Sequence, residues 1–294
     1  MKYDRALVEI HAAVLLFGLA GLFGKWLVFP AVLIVFGRVV FAVPALAAAL
    51  TVLRRPLFAG RLKAQALFGL LGLLLAAHWV CFFRSIQVST VAVGLLSYST
   101  FPLFTAVLEP LMLGEKFEQR AVFLALVCLA GVVLLVPRFT FEESVFRGVL
   151  WGLPAGASFS LLSILNRKLR RSHDGLSIAF RQDAFALLFL APLAVPALPA
   201  AISLRDVALL SILGLACTAG AHTLFIDGLR SVSARAASLI SALEPVYGIA
   251  LAIVFLREIP SLRTAAGGAL ILAAALAVTL SGGKAASSSP PGRA

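Results

Sequence analysis

Apolar runs of close to 20 residues follow one another along nearly the whole chain, and the charged residues collect in the short breaks between them. Coiled as helices, runs of that length match the hydrocarbon thickness of a bilayer. The pattern predicts ten spans, at 8–28, 31–53, 64–83, 88–113, 118–136, 148–168, 176–198, 207–227, 236–256 and 264–281. The breaks run from Arg54-Arg55-Pro56 to Lys63, over Gly114-Glu115-Lys116, and from Pro137 to Arg147, Arg167 to Gly175, Pro199 to Asp206 and Arg257 to Arg263. The tail from Lys284 to Ala294, rich in Ala, Ser and Pro, reads as disordered. The predicted fold class is an all-α polytopic membrane protein.

One part of the pattern occurs twice. The fourth run carries Pro102 inside it and exits through Leu113-Gly114-Glu115. A shift of 143 positions brings Pro102 onto Pro245, Glu115 onto Glu258, Lys25 onto Lys168 and Arg38 onto Arg181. Paired prolines, acids and bases at one ungapped offset predict a duplication. Its parts are a first five-helix repeat at 1–143, a second at 144–283 and a cytoplasmic tail at 284–294. Five is an odd number, so the second copy enters the membrane from the opposite side. Inverted repeats of this kind place a pseudo-twofold axis in the membrane plane, with a solute site at their seam that is exposed to alternate sides.

The chain has 294 residues, 61% of them hydrophobic and 13% charged. Ten spans leave no room for a separate catalytic domain. A net charge of +12 in a soluble protein would suggest nucleic acid. Here the positive-inside rule is the simpler cause, and no nucleic-acid partner is expected. With the N-terminus inside, inner segments hold sixteen Lys and Arg and outer segments seven. That bias predicts a multi-pass protein of the inner (cytoplasmic) membrane with both termini in the cytoplasm. The first run lacks a clear cleavage site and reads as a retained helix rather than a leader. Cys81, Cys128 and Cys217 sit in apolar runs as small buried residues, with no metal-ligand spacing.

The candidate chemistry lies inside the spans. Pro102 and Pro245 each remove a backbone donor and free the carbonyls of Tyr98 and Ser241, which lipid does not tolerate unless the irregular turn faces protein or a cavity. With Pro154 on the sixth span, they are the candidate kink and gating positions. Glu244 is a mid-span carboxylate, costly unless it faces a cavity or a partner. It could bind a substrate ammonium, carry a proton, or pair with a basic residue. His78, Trp79 and His222 fall at matching depths under the repeat. Tyr98 and Phe101 share one face with Gly94 and Thr105, and Ser241 and Glu244 share one with Ala237 and Gly248. Trp151 and Tyr247 complete the candidate substrate-binding set. Such faces suit a zwitterionic or amphipathic small molecule. Glu115 and Glu258, at helix exits, read as capping carboxylates with a gate pairing as the alternative. Arg38 and Arg181 are expected to snorkel or to pair with an acid. Gly148, Gly152 and Gly156 predict close internal helix packing in a monomer.

Together, the Pro102 helix with its Leu-Gly-Glu115 exit, its second copy with Glu244-Pro245 and Arg257-Glu258, Phe36-Gly-Arg38, and the glycine-rich helices before positions 136 and 281 resemble the EamA-type family of the drug/metabolite transporter superfamily. The likeness covers about residues 6–281, and Arg257 departs from it by standing where a glycine would precede the acid. It implies a ten-helix secondary transporter without cofactor, exporting small metabolites, most simply amino acids. Other solute classes (nucleobases, vitamins, cationic drugs) are the alternative. A membrane-embedded enzyme is disfavoured, since the sequence carries no HExxH and no G-x-S-x-G.

Overall fold

A computed structural model describes residues 2–58, 62–113, 119–169, 172–228, 240–241 and 243–287. Among them there is no strand. The helices are α1 (Lys2–Trp26), α2 (Ala31–Val52), α3 (Leu62–Val88), α4 (Val91–Tyr98), α5 (Phe101–Leu113), α6 (Gln119–Leu135), α7 (Ser144–Leu169), α8 (Gly175–Ala194), α9 (Leu204–Gly214), α10 (Ala221–Gly228), α11 (Glu244–Leu256) and α12 (Leu262–Ser287). Among the described residues, seven segments are long and apolar enough to cross a membrane, and three shorter apolar helices lie at Phe123–Leu135, Glu244–Leu256 and Leu262–Ala277. The chain is a multi-pass membrane protein.

Three expected spans are not single helices, that at 236–256 among them, where α11 opens at Glu244 after a turn at Leu243. The run at 88–113 is divided into α4 and α5, with Ser99 and Thr100 between them. The run at 207–227 passes through a π-helical turn, Leu215–Gly220, which joins α9 to α10. Helix starts are fixed by hydroxyls and one carboxylate. Thr90 accepts from the Val93 amide, Ser203 from that of Asp206 and Asp174 from that of Ser177. Partial burial pushes the Asp174 carboxyl up. Bonds from Ser177 and the Arg55 guanidinium at 2.9 Å outweigh that and hold it below the usual carboxylate range.

Helix packing follows the 143-residue shift. That shift carries α1 onto α7, α2 onto α8, α3 onto the α9–α10 segment, α5 onto α11 and α6 onto α12. Correspondingly, α7 packs on α5 and α1 on α11, α7 on α3 and α1 on α10, α8 on α3 and α2 on α9. Two further large contacts, α6 with α12 and α2 with α8, join equivalent helices to each other. The main core gathers Phe23, Ile34, Phe68, Phe83, Ile86 and Leu95, all almost wholly buried. The glycine stripe of α7 lies against α4. Gly148 faces Ser89, Gly152 faces Ser97, and a Cβ on Gly156 would stand 2.9 Å from the Tyr98 carbonyl.

Candidate functional site

Pro102 and Pro245 do not bend continuous helices; each sits in the first turn of a new one, α5 and α11. A proline is well suited to that place because first-turn amides have no partner within the helix. Around the first break, hydroxyls satisfy the backbone. Ser97 donates to the Val93 carbonyl, Ser99 to Leu95, Thr100 to Ser97 and Thr105 to Phe101. Pro154, by contrast, stays inside an unbroken α7.

The two breaks look onto one central pocket. It is lined by Phe17, Ala20, Arg38, His78, Trp79, Phe82, Tyr98, Phe159, His222 and Glu244. One wall is aromatic: His78 lies 5.5 Å from Tyr98 and 5.4 Å from Phe159, ring centre to ring centre. His78 donates from Nδ1 to the Ala155 carbonyl at 2.9 Å, which leaves Nε2 for another partner. On the other wall Trp79 stacks with His222 at 5.4 Å, and Phe17 meets the same imidazole edge-on at 5.7 Å.

Arg38 and Glu244 bring a guanidinium and a carboxyl group to this pocket. Arg38 is 2% exposed, with its guanidinium 3.9 Å above the centre of Trp79. Its Nε donates to the Thr218 hydroxyl at 2.9 Å and one terminal nitrogen to the Cys217 carbonyl at 3.3 Å. Both acceptors belong to the π-helical turn, where Thr218 in turn donates to the Leu213 carbonyl five residues back. Widened turns of this sort recur at functional sites because they redirect backbone groups. Glu244 is 5% exposed in the first turn of α11, where the helix dipole favours a carboxylate.

Of the residues expected from the sequence, His78, Trp79, Tyr98, His222 and Glu244 meet at this pocket. Phe101 stands one layer back, 5.4 Å from Tyr98. Ser241 is buried at the second break but is not in the lining. Trp151 is 40% exposed on the outer face of α7, because its turn of helix points away from α4. Tyr247 borders a separate outer groove with Leu7, Val8, His11, Ala12 and Leu15. Arg38 does not snorkel. It lies seven residues, about 10 Å of helix rise, inside the start of α2, and it turns inward to the π-helical turn. Arg181 is buried as well, donating to the Leu57 carbonyl at 3.1 Å with its guanidinium over Phe68. Phe17, Phe82 and Phe159 had no distinguishing signal among 22 phenylalanines.

At the end of the bundle that the charge pattern assigns to the outside, Glu258 accepts from the Val91 amide at 2.9 Å and caps α4. Lys25 bridges the same place, 3.7 Å from Glu258 and 2.5 Å from the Ser89 carbonyl. The carboxylate thus caps α4, not the helix that follows it. Glu115, its partner under the shift, lies outside the described residues.

A bundle of apolar helices, two of them opening with a first-turn proline beside one polar and aromatic pocket, defines a polytopic membrane protein. The chain belongs to the EamA-like transporter family, whose profile matches it twice, at residues 6–136 and 146–280. It is 27% identical over 211 residues to the pseudopaline exporter CntI of Pseudomonas aeruginosa (strain UCBPP-PA14), covering 71% of this chain and 72% of that one. It is 24% identical to the uncharacterized transporter YxxF of Bacillus subtilis, covering 71% and 68% respectively. A solved crystal structure 21% identical in sequence shares the fold, with a TM-score of 0.65 over 97% of this chain and 99% of the other.

Proposed function

We propose that the protein is a secondary transporter that exports small zwitterionic metabolites, with amino acids as the simplest class, across the cytoplasmic membrane. The observation that carries this reading is the pairing of Arg38 and Glu244 on one aromatic pocket. A guanidinium holds a carboxylate, and an acid opposite it takes an ammonium. Nothing else in the lining is charged, so a guest carrying both groups leaves neither side chain uncompensated.

Alternating access is the proposed mechanism, with residues 1–143 and 144–283 as inverted halves of five spans each and both termini cytoplasmic. The count of ten adds the three shorter apolar helices to the seven long ones. The double family match and the exchange of packing partners under the 143 shift support the duplication. Inversion is supported by cross-links that join ends expected on one face. Lys25 meets Glu258 at the end expected outside, and Arg55 meets Asp174 at the end expected inside. In such a scheme the two broken helices rock about the pocket, as discontinuous helices do in other inverted-repeat carriers.

The test is counterflow in proteoliposomes, comparing amino acids with their decarboxylated amines and their deaminated acids. The expected result is exchange of the zwitterions, with both singly charged analogues competing at least tenfold more weakly, the scale of one lost charge-assisted contact. Equal exchange of nucleobases or cationic drugs, with amino acids inert, would replace this substrate class.

A further inference from the structure

The pocket presents one polar atom that the pairing of Arg38 and Glu244 leaves unused. His78 is 6% exposed, and its ring lies among those of Tyr98, Phe159 and Phe82. A carbonyl oxygen can only accept, so the 2.9 Å bond to Ala155 requires the proton to sit on Nδ1. The Ala155 carbonyl is itself held in place, on a wholly buried turn of α7 where the Ser158 hydroxyl also donates to it at 3.0 Å. With Arg38 already in the lining, a second cation ringed by aromatic side chains would go uncompensated, so the imidazole is neutral. In a neutral ring whose Nδ1 carries the proton, Nε2 is an acceptor. Among the described residues Nε2 has no hydrogen-bond partner, and it is not sealed from the cavity that His78 lines.

We infer that His78 Nε2 accepts a hydrogen bond from the substrate ammonium and selects substrates whose nitrogen keeps two N–H groups, one for Glu244 and one for His78. The inference rests on the zwitterion reading above. An ammonium bound by a single carboxyl would bring further N–H groups bare into an apolar site, and each one left unpaired is costly. The carboxylate of such a guest has no donor, so the ammonium is the group common to the class that an acceptor can serve. Tyr98 and His222 also line the pocket, but no hydrogen bond among the described residues fixes which atom of either one donates. His78 differs because its tautomer is set by backbone, and its acceptor is in place before a substrate arrives.

The experiment measures binding to purified protein of the amino acid that exchanges fastest in counterflow, and of its N-methyl and N,N-dimethyl derivatives. All three ligands keep both charges; the first derivative retains two N–H groups and the second only one. Wild type is compared with His78→Phe and His78→Leu, which both remove the acceptor, so a folding defect in one does not disable the test. Wild type is expected to bind the N,N-dimethyl derivative about tenfold more weakly than the N-methyl one, the scale of one lost charge-assisted hydrogen bond. In both variants that step is expected to vanish, because the N-methyl derivative loses its advantage. A step that persists in the variants is crowding by the added methyl group and overturns this inference. So does the lack of any step in wild type that still prefers the amino acid to its decarboxylated amine. Loss of that preference, or exchange of no amino acid at all, overturns the parent reading and this inference with it.

Discussion

Between Tyr98 and Phe101 the chain leaves one helix and enters the next through Ser99 and Thr100; at Leu243 it does the same, and Glu244 and Pro245 open the new helix. The backbone device is common to both. At the first break, serine and threonine hydroxyls turn back onto carbonyls and an aromatic group of Tyr98, Phe101 and Phe159 closes over them. At the second, the position equivalent to Phe101 is Glu244, which sends a carboxylate into the same pocket. Two openings in the helix ladder thus share a backbone form and differ in what they present, an apolar wall at one and a carboxyl group at the other.

The sharpest way to break this comparison is to remove the feature that makes the breaks unlike. Glu244→Gln keeps the shape and deletes the charge, and it is expected to lower initial counterflow rates of a zwitterion at least tenfold. Tyr98→Phe removes a hydroxyl from the other wall and leaves the ring stack, so a change of a few-fold at most is expected. Equal losses in the two variants would mean that the breaks contribute alike and that the charge at Glu244 has no special part.

A smaller effect is expected where the breaks are alike, in what backs them. Each leans on a helix of the other half through a glycine. On α7, a Cβ at Gly156 would stand 2.9 Å from the Tyr98 carbonyl. On α1, a Cβ at Gly18 would stand 2.9 Å from the Gly248 nitrogen and 3.0 Å from the Glu244 carbonyl. Backbone cannot move aside as a side-chain tip can. Gly156→Ala and Gly18→Ala are each expected to cost about 1–3 kcal/mol, read as a lower unfolding midpoint in detergent. If only one of the pair is affected, the two halves are not held at their breaks by the same contact.

Much of this was legible in the chain itself, and the misses have identifiable causes. Helix positions came from long apolar runs, and both prolines from their shared offset. Five pocket residues, His78, Trp79, Tyr98, His222 and Glu244, stood out because polar and large aromatic side chains are conspicuous against an aliphatic background. Arg38 is equally conspicuous, but the sequence suggests only snorkelling or an acidic partner for it. Its acceptors, Thr218 and the Cys217 carbonyl, lie about 180 residues away and become available only through a π-helical turn that no periodicity announces. Trp151 and Tyr247 were conspicuous too, yet the helix face each occupies depends on which neighbour packs there, which hydrophobicity does not encode when lipid and protein core are equally apolar.

The smallest expected effect concerns the exits of the two halves, Gly114-Glu115 and Arg257-Glu258. Arg257 closes α11 in the left-handed region, with φ of 56°. For a residue with a Cβ that conformation costs roughly 1–2 kcal/mol, and glycine is the usual occupant of such a helix end. The first half has that glycine, at position 114. The turn made by Arg257 lets the next residue, Glu258, reach the Val91 amide and Lys25, so the strain serves to deliver the carboxylate. Arg257→Gly relieves the strain but adds freedom to the unfolded chain, a penalty of about 0.5–1 kcal/mol. The net expectation is a gain of about 0.5 kcal/mol, the residue of those two opposing quantities. Thermal unfolding in detergent with a slightly raised midpoint fits this account. A lowered midpoint would show that the Arg257 side chain itself holds this end of the bundle together, and the two exits would then differ in more than their backbone.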